Sequence, residues 1–288
     1  MDRDLRIDLH THSTHSDGTD SVPELLRAAA EAGVGAIGLT DHDTFSGWDE
    51  ARVWSARVGV AVIPGCEVST EYEHHSVHVL ALLPDPSPGT DLAKDMARAR
   101  SSRDDRARHM VELISRDYPV TWQDVQAQLG GAQTVVGRPH IADALVEAGI
   151  VPDRSAAFAD ILTVDGPYYV RHYAPDPVRA VQQICSAGGV AIAAHPGSVS
   201  RGWVLPDDVL EAMIEAGLAG IEVDHREHDA QTRRRLASLA AAHGLLTTGS
   251  SDYHGTGKPN RLGENLTSPD VLAAIIARAT SETEVFAP

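Results

Sequence analysis

Apolar positions along the chain follow two alternating patterns, one of short continuous runs and one of longer amphipathic stretches. The short runs predict buried strands at residues 5–9, 36–40, 58–64, 77–83, 190–194, 220–223 and 245–248. The longer stretches predict helices at residues 22–32, 46–57, 177–187, 206–216, 230–243 and 269–278. Repeated strand–helix units with wholly apolar strands are typical of a parallel sheet covered by helices, so the pattern indicates an α/β fold.

The middle of the chain departs from this alternation. A segment rich in Pro and Gly at residues 84–89 breaks it, and predicted helices without strands follow at residues 91–116, 121–129 and 139–148. The pattern therefore predicts a helical insertion between two halves of one domain. We expect the first half at residues 1–90, an insertion at 91–170 that acts as a lid and binds substrate, and the second half at 171–288.

The composition narrows the classes of partner. Lys and Arg number 24 and Asp and Glu number 41, so the net charge is −17. Stable binding to DNA or to an anionic membrane is therefore not expected. The sequence shows no signal peptide and no apolar run of membrane-spanning length, which favours a cytoplasmic protein. Cys66 and Cys185 are expected to be two buried, reduced thiols rather than a disulfide framework.

Histidine is abundant, with 15 residues, and its positions are ordered. Six of the seven predicted strand regions are followed by histidine or acidic residues, and the seventh carries His78 within it. These residues occur in the segments His10-Thr-His12, Asp41-His42-Asp43, Gly65-Cys66-Glu67, His195-Pro-Gly, Asp224-His225 and Ser251-Asp252-Tyr-His254. In a barrel of parallel strands the carboxyl ends share one rim, where active sites lie, so this placement indicates a common site.

The residue types indicate a metal site. His10 and His12 lie two apart on an extended chain, so both imidazoles point to the same side, and Asp17 can fold back over the rim. Imidazole and carboxylate donors without thiolate suit manganese, iron or zinc. So many donors exceed the ligand shell of one ion, which predicts two or three divalent metals that share a carboxylate.

In the segments that carry these residues, the sequence resembles the PHP family, the polymerase-and-histidinol-phosphatase phosphoesterases. The matching motifs are His10-Thr-His12, Ser16-Asp17-Gly18, Thr40-Asp41-His42-Asp43, Pro64-Gly65-Cys66-Glu67-Val68-Ser69, His78, Ala194-His195-Pro196-Gly197 and Gly249-Ser250-Ser251-Asp252-Tyr253-His254-Gly255. The resemblance implies a distorted seven-stranded β/α barrel with a trinuclear metal centre on its carboxyl rim, here with the helical insertion.

The resemblance also implies which residues hold each metal and which act in catalysis. The first metal would be held by His10, His12, Glu67 and Asp252, the second by Glu67, His78 and His195, and the third by Asp17, His42 and His254. Glu67 would bridge two ions, and the hydroxide that they share would attack phosphorus. Glu67 and His195 are thus expected catalytic residues, and His172 and His225 are alternatives for protonating the leaving group.

The insertion carries the segments 137–140 and 166–172 and is similar to that of a bacterial subgroup. That subgroup removes the 3′-phosphate of nucleoside 3′,5′-bisphosphates, and some members trim short RNA from the 5′ end. The resemblance therefore implies a small phosphorylated substrate such as a nucleoside bisphosphate or AMP, with short RNA as a further class. Cationic side chains expected to contact it are Arg103, Arg106, Arg138, His140, Arg201 and Lys258.

Two other functions remain open at the level of sequence. One is a phosphatase for another small metabolite, such as histidinol phosphate, or a phosphodiesterase. The other is a metal-binding module without catalysis, which the complete set of ligand-type residues disfavours. An amidohydrolase is disfavoured because the strand ends carry no lysine. The sequence does not indicate an oligomeric state.

Overall fold

A computed structural model describes residues 4–131, 134–198 and 203–288. Seven strands form one sheet in which the strands follow each other in chain order. They are β1 (Ile7–Thr11), β2 (Ala36–Leu39), β3 (Ala61–Tyr72), β4 (His75–Leu82), β5 (Val190–Ala194), β6 (Gly220–Asp224) and β7 (Leu246–Gly249). The segment after β7 returns to β1, where the His12 amide donates to the Tyr253 carbonyl at 2.9 Å. The sheet is thus a nearly closed barrel, which confirms the predicted fold class.

Helices cover the outside of the barrel and build the insertion. They are α1 (Val22–Glu31), α2 (Trp48–Val58), α3 (Asp91–Ile114), α4 (Trp122–Gln126), α5 (Arg138–Glu147), α6 (Arg154–Ala159), α7 (Pro177–Ser186), α8 (Asp207–Glu215), α9 (Ala230–His243) and α10 (Pro269–Arg278). Local sequence explains their starts: Asp176 and Ser268 accept hydrogen bonds from the first-turn amides of α7 and α10, each of which begins with proline. The predicted helices agree with these bounds to within a few residues, and α6 was not predicted.

The expectation of an all-parallel sheet is wrong at one strand. β4 runs antiparallel to both β3 and β5, so its amino-terminal half, and not its carboxyl end, lies at the shared rim. His78 pairs in register with Ser69 on β3 and with Ala194 on β5. This reversal explains why His78 lies in the first half of its strand, whereas the predicted ligands of the other strands lie in the second half of a strand or after it.

Buried apolar side chains of the described residues form four cores, one inside the barrel and three outside it. The interior is filled by aliphatic side chains such as Leu9, Ile63, Leu80 and Ile192, which are fully buried. Two further cores lie between the sheet and its outer helices. The insertion has its own core, which gathers residues of α3, α4, α5 and α6 around Met110 and other buried side chains. The insertion therefore packs as a unit of its own on the barrel.

Two surface properties complete the fold. Cys66 is buried on β3, but Cys185 is exposed on α7, so the expectation of two buried thiols is wrong for Cys185, whose side chain lies on the solvent-facing side of an amphipathic helix. Within the described ranges, no helix is both long and apolar enough to cross a membrane.

Candidate metal centre

The barrel rim brings all nine predicted metal ligands together. His10 and His12 lie at the end of β1, and Glu67 lies in the middle of the long strand β3, where the sheet twists past the rim. The remaining ligands are Asp17, His42, His78, His195, Asp252 and His254, and each of the nine is at most 9% exposed. Eight of the nine supply donor atoms to three overlapping groups, and the ninth, His195, lies beside the shared residue Glu67.

The first group contains His10, His12, Glu67 and Asp252. The two Nε2 atoms lie 3.1 Å apart, and each lies 3.2–3.3 Å from Glu67 Oε2 and 3.3–3.4 Å from Asp252 Oδ1. A tetrahedral ion with ligand bonds of about 2.1 Å separates its donors by about 3.4 Å. The spacing therefore fits one small divalent cation.

The second group contains His42, Glu67 and His78, and the third contains His12, Asp17, His42 and His254, so each shares one residue with the first. In the second, Glu67 Oε1 lies 2.6 Å from His78 Nδ1 and 3.1 Å from His195 Nε2. In the third, Asp17 Oδ1 lies 3.2 Å from His254 Nε2 and 3.8 Å from His42 Nε2. Glu67 thus faces the first group with one oxygen and the second with the other, as a bridging carboxylate must.

The chemistry of these donors fits bound cations. Asp17 Oδ1, Asp252 Oδ1, His42 Nδ1 and His254 Nε2 are buried atoms that make no hydrogen bond, although buried polar atoms normally do. Burial alone would raise the pKa of Glu67, but the imidazoles around it hold that pKa well below its usual range. The carboxylate is therefore ionised and available to metal.

Two of the predicted ligands lie on strained backbone. His195 and Asp252 follow β5 and β7 with φ angles of 31° and 55°, in the left-handed region that non-glycine residues rarely occupy. Such conformations persist where the surrounding structure imposes them, and they occur mainly at functional sites. Here the sharp turn at each strand end directs the side chain back over the rim.

Glu222 is a site residue that the sequence analysis missed. Its carboxylate is fully buried on β6, accepts from the His195 amide at 2.8 Å and from Ser250 Oγ, and lies 3.3 Å from His10 Nδ1. When His10 Nδ1–H donates to it, the Nε2 lone pair faces the first group. The signal was present in the sequence as an acidic residue in the middle of an apolar strand.

Other acidic residues near strand ends do not face the metal groups. Asp41 accepts from the Ser13 amide at 2.8 Å and from the Ser13 and Ser16 hydroxyls at 2.7 and 2.6 Å, so it shapes the loop after β1. Asp224 is exposed and pairs with Arg233. Residue type at a strand end therefore does not by itself identify a ligand.

A cluster of cations lies beside the second group. Arg103 and Arg106 on α3 and Arg138 on α5 converge with His172, and two of the guanidinium groups lie 5.5 and 5.6 Å from the centre of the Tyr169 ring. We call this set of residues the arginine cluster. Its three arginines and His172 are four of the predicted substrate and catalytic residues.

The arginine cluster carries excess positive charge. Arg103 pairs with Asp43 at 3.2 Å, but among the described residues no carboxylate pairs with Arg106, which is 8% exposed. Burial and the two other arginines lower the pKa of Arg106 to about 9, and burial with all three arginines lowers the pKa of His172 to about 2. His172 is therefore neutral, and Arg106 is a buried cation that no carboxylate of the described ranges balances.

The remaining predicted contacts lie elsewhere. His140 is buried, with Nδ1 accepting from the Gly137 amide at 3.0 Å and its ring donating to the Ser16 carbonyl. Lys258 Nζ lies 2.8 Å from Asp252 Oδ2, at the edge of the first group. His225 Nε2 lies 3.9 Å from the same Asp252 oxygen. Arg201 lies outside the described residues, and the roles of all four stay predictions.

Comparison with known proteins finds relatives that share the fold and the type of site described above. The PHP domain model matches residues 8–147. A 3′,5′-nucleoside bisphosphate phosphatase of Chromobacterium violaceum is 34% identical over 255 residues, which cover 88% of this chain and 89% of the relative. A phosphoribosyl 1,2-cyclic phosphate 1,2-diphosphodiesterase of Eggerthella lenta is 35% identical over 262 residues, covering 86% of this chain and 94% of that protein.

The fold comparison extends over the whole molecule. A crystal structure of a candidate metal-dependent phosphoesterase from Bifidobacterium adolescentis superposes with a TM-score of 0.93 and 43% sequence identity, over 97% of this chain and 98% of that one. The likeness thus includes the insertion as well as the barrel. From its motifs, its barrel and these relatives, the chain belongs to the PHP family of metal-dependent phosphoesterases, hydrolases of phosphoric ester bonds.

Proposed function

We propose that this protein removes a phosphate from small nucleotides that carry a second phosphate, such as nucleoside 3′,5′-bisphosphates, with three divalent metals bound at the rim. The observation that carries the proposal is the arginine cluster next to the three donor groups. A buried guanidinium without a protein anion is costly unless a ligand supplies the negative charge. A phosphate that is not hydrolysed supplies it.

The positions of the two sites suit one substrate. Arg103 contacts Ser69 on β3, two residues beyond Glu67 on the same strand. Two residues of strand span about 7 Å, comparable to a ribose with its two ester oxygens. One phosphate would thus lie at the metal groups while the other lies between the guanidinium groups, which match phosphate oxygens in pairs.

The donor groups would hold manganese, iron or zinc. When bound, such ions supply Lewis acidity and an activated water for attack on phosphorus. Glu67 would hold two of the ions, and Lys258, beside Asp252, would face a phosphoryl oxygen. Elemental analysis of protein purified without chelator is expected to give more than two ions per chain, and one ion or none under metal-replete conditions would refute three sites.

A hydrolysis screen with manganese tests the substrate class, with released phosphate measured for the monoesters and chromatography of the products for the cyclic phosphate and RNA, whose phosphodiester bonds break without releasing inorganic phosphate. The panel contains nucleoside 3′,5′-bisphosphates, nucleoside monophosphates, histidinol phosphate, a ribosyl 1,2-cyclic phosphate and short RNA. The bisphosphates are expected to give the highest kcat/KM. The cyclic substrate represents the second candidate, a phosphodiesterase, which the Eggerthella lenta relative favours.

Variants of the arginine cluster test the second-phosphate site directly. Arg103→Ala or Arg138→Ala is expected to lower kcat/KM for a bisphosphate by about 10- to 150-fold, mainly through KM, since a charge-assisted hydrogen bond contributes about 1.5–3 kcal/mol. A monophosphate should lose far less. Arg108→Ala, an exposed position on the same helix, is the matched control. Equal losses for both substrates would refute the site.

A further inference from the structure

The loop between β1 and α1 carries Asp17, the carboxylate of the third group, and the insertion holds that loop by its backbone. Four consecutive carbonyls, those of residues 14–17, each accept a hydrogen bond from the insertion. Thr134 Oγ1 donates to the first at 2.7 Å and the Val135 amide to the second at 3.0 Å. His140 donates to the third, and Arg154 Nη1 donates to the fourth at 3.3 Å.

Arg154 contacts two of the three loops that supply the third group, those of Asp17 and His254. Its guanidinium binds Asp143 of α5 through two hydrogen bonds of 2.5 and 2.6 Å, which fix its orientation. The same guanidinium packs so closely on Gly257 that a Cβ there would lie 2.1 Å from Nη1. Gly257 follows His254 by three residues, so Arg154 contacts the Asp17 loop and the His254 loop at once.

The Asp17 loop is held from two sides. Asp41 bonds it from the barrel side. On the other side a cavity of about 420 Å³ lies between the barrel residues Thr14, Gly18 and Thr19 and the insertion, and the hydrogen bonds from the insertion cross beside it. Ligands held by conformationally free loops lose metal affinity, because binding must then order the loop.

We infer that the insertion completes the third metal site, with Arg154 as the positioning residue that fixes Asp17 relative to His254. The inference rests on the proposed three-metal centre. It gives the insertion a role separate from substrate contact, since none of these four hydrogen bonds involves the arginine cluster. Occupancy of the third site then depends on how the insertion docks on the barrel.

Manganese binding to the metal-free protein tests the inference without any measurement of turnover. Equilibrium dialysis followed by elemental analysis gives ions bound per chain at each free concentration. The wild-type chain should bind three ions and Asp17→Asn two. Arg154→Met should bind the first two ions at wild-type concentrations and the third at a free concentration about tenfold higher or more, the usual effect of losing an outer-shell partner.

A second variant and a control separate positioning from general stability. Thr134→Val removes a donor to the same loop at little change in shape, and it should shift the third ion in the same direction by a smaller factor. Arg108→Met removes an exposed ion pair of the insertion and should leave all three binding steps unchanged. Circular dichroism and thermal unfolding show whether each variant is folded.

Three outcomes would overturn the inference. If Arg154→Met binds its third ion as the wild type does, the insertion does not position Asp17. If all three ions weaken together, Arg154 supports the fold and not one site. If the wild-type chain binds no third ion, the three-metal proposal fails together with the inference, whereas the substrate screen is unaffected by the first two outcomes.

Discussion

Replacement of Glu222 by glutamine should weaken the metal centre although Glu222 is not a predicted ligand. The carboxylate accepts from three donors, His10 Nδ1, the His195 amide and Ser250 Oγ. Glutamine keeps one acceptor oxygen and must turn its NH₂ group toward at least one of these donors, which leaves a buried polar group unsatisfied. His10 and Ser250 bond one carboxylate oxygen and the His195 amide bonds the other, so either His10 or His195 then loses its fixed orientation. We expect metal affinity at the centre to fall about 10- to 100-fold, or about 1.4–2.7 kcal/mol.

Competition with a chelating dye measures this affinity on the metal-free protein. Asp224→Asn is the control, because Asp224 lies two residues further on the same strand but is exposed. The control should bind manganese as the wild type does. If Glu222→Gln also binds at wild-type affinity while its far-UV spectrum is unchanged, Glu222 does not orient His10 or His195, and the argument from its hydrogen bonds is wrong.

Three further predictions follow from the site and the surface. Glu67→Gln should lower turnover by about a thousandfold or more with an unchanged far-UV spectrum, because an amide cannot bridge two cations; near wild-type turnover would show that another residue bridges. Arg106→Leu should raise the melting temperature without ligand, since it removes a buried cation, and should abolish stabilisation by inorganic phosphate; a lower melting temperature would contradict this. Burial and the neighbouring arginines lower the pKa of Arg106 on folding, so the unfolded chain binds this proton more tightly, and the buried cation destabilises the fold throughout the neutral pH range. Iodoacetamide should label the native chain once, at Cys185, and mass spectrometry of the peptides would show a second label at Cys66 if the buried thiol were accessible.

The sequence predicted the barrel, and it predicted that the candidate ligands lie near each other, because both features depend on local patterns. Wholly apolar runs of four to eight residues identify buried strands, and polar residues that follow such runs lie at a rim. The strand Val190–Ala194 and the helices Ala230–His243 and Pro269–Arg278 have the predicted bounds. Successive side chains of a strand alternate between the two faces of the sheet, so the sequence also predicted that His10 and His12 point to the same face. Their Nε2 atoms are 3.1 Å apart there.

The features that the sequence did not predict depend on tertiary contacts. The direction of β4 leaves no mark on the alternation of its side chains, which is the same when a strand is read in either direction. Glu222 was overlooked because the partners that justify a buried carboxylate come from β1, β5 and β7. His140 was expected at the substrate, but its hydrogen bonds join two loops that are distant in sequence.

The reversal of β4 also determines how the insertion is attached. β4 ends opposite the start of β5, at the end of the barrel that lies away from the rim. The chain that follows must therefore run along the whole height of the barrel before it reaches the rim. One continuous helix spans that distance: α3 has 24 residues, which gives it a length of about 36 Å. Its early side chains Leu92 and Met96 belong to the barrel wall, and its late ones, such as Met110, belong to the insertion. The insertion and the barrel therefore share one continuous helix, and the insertion cannot rotate away from the barrel at this connection unless α3 itself bends.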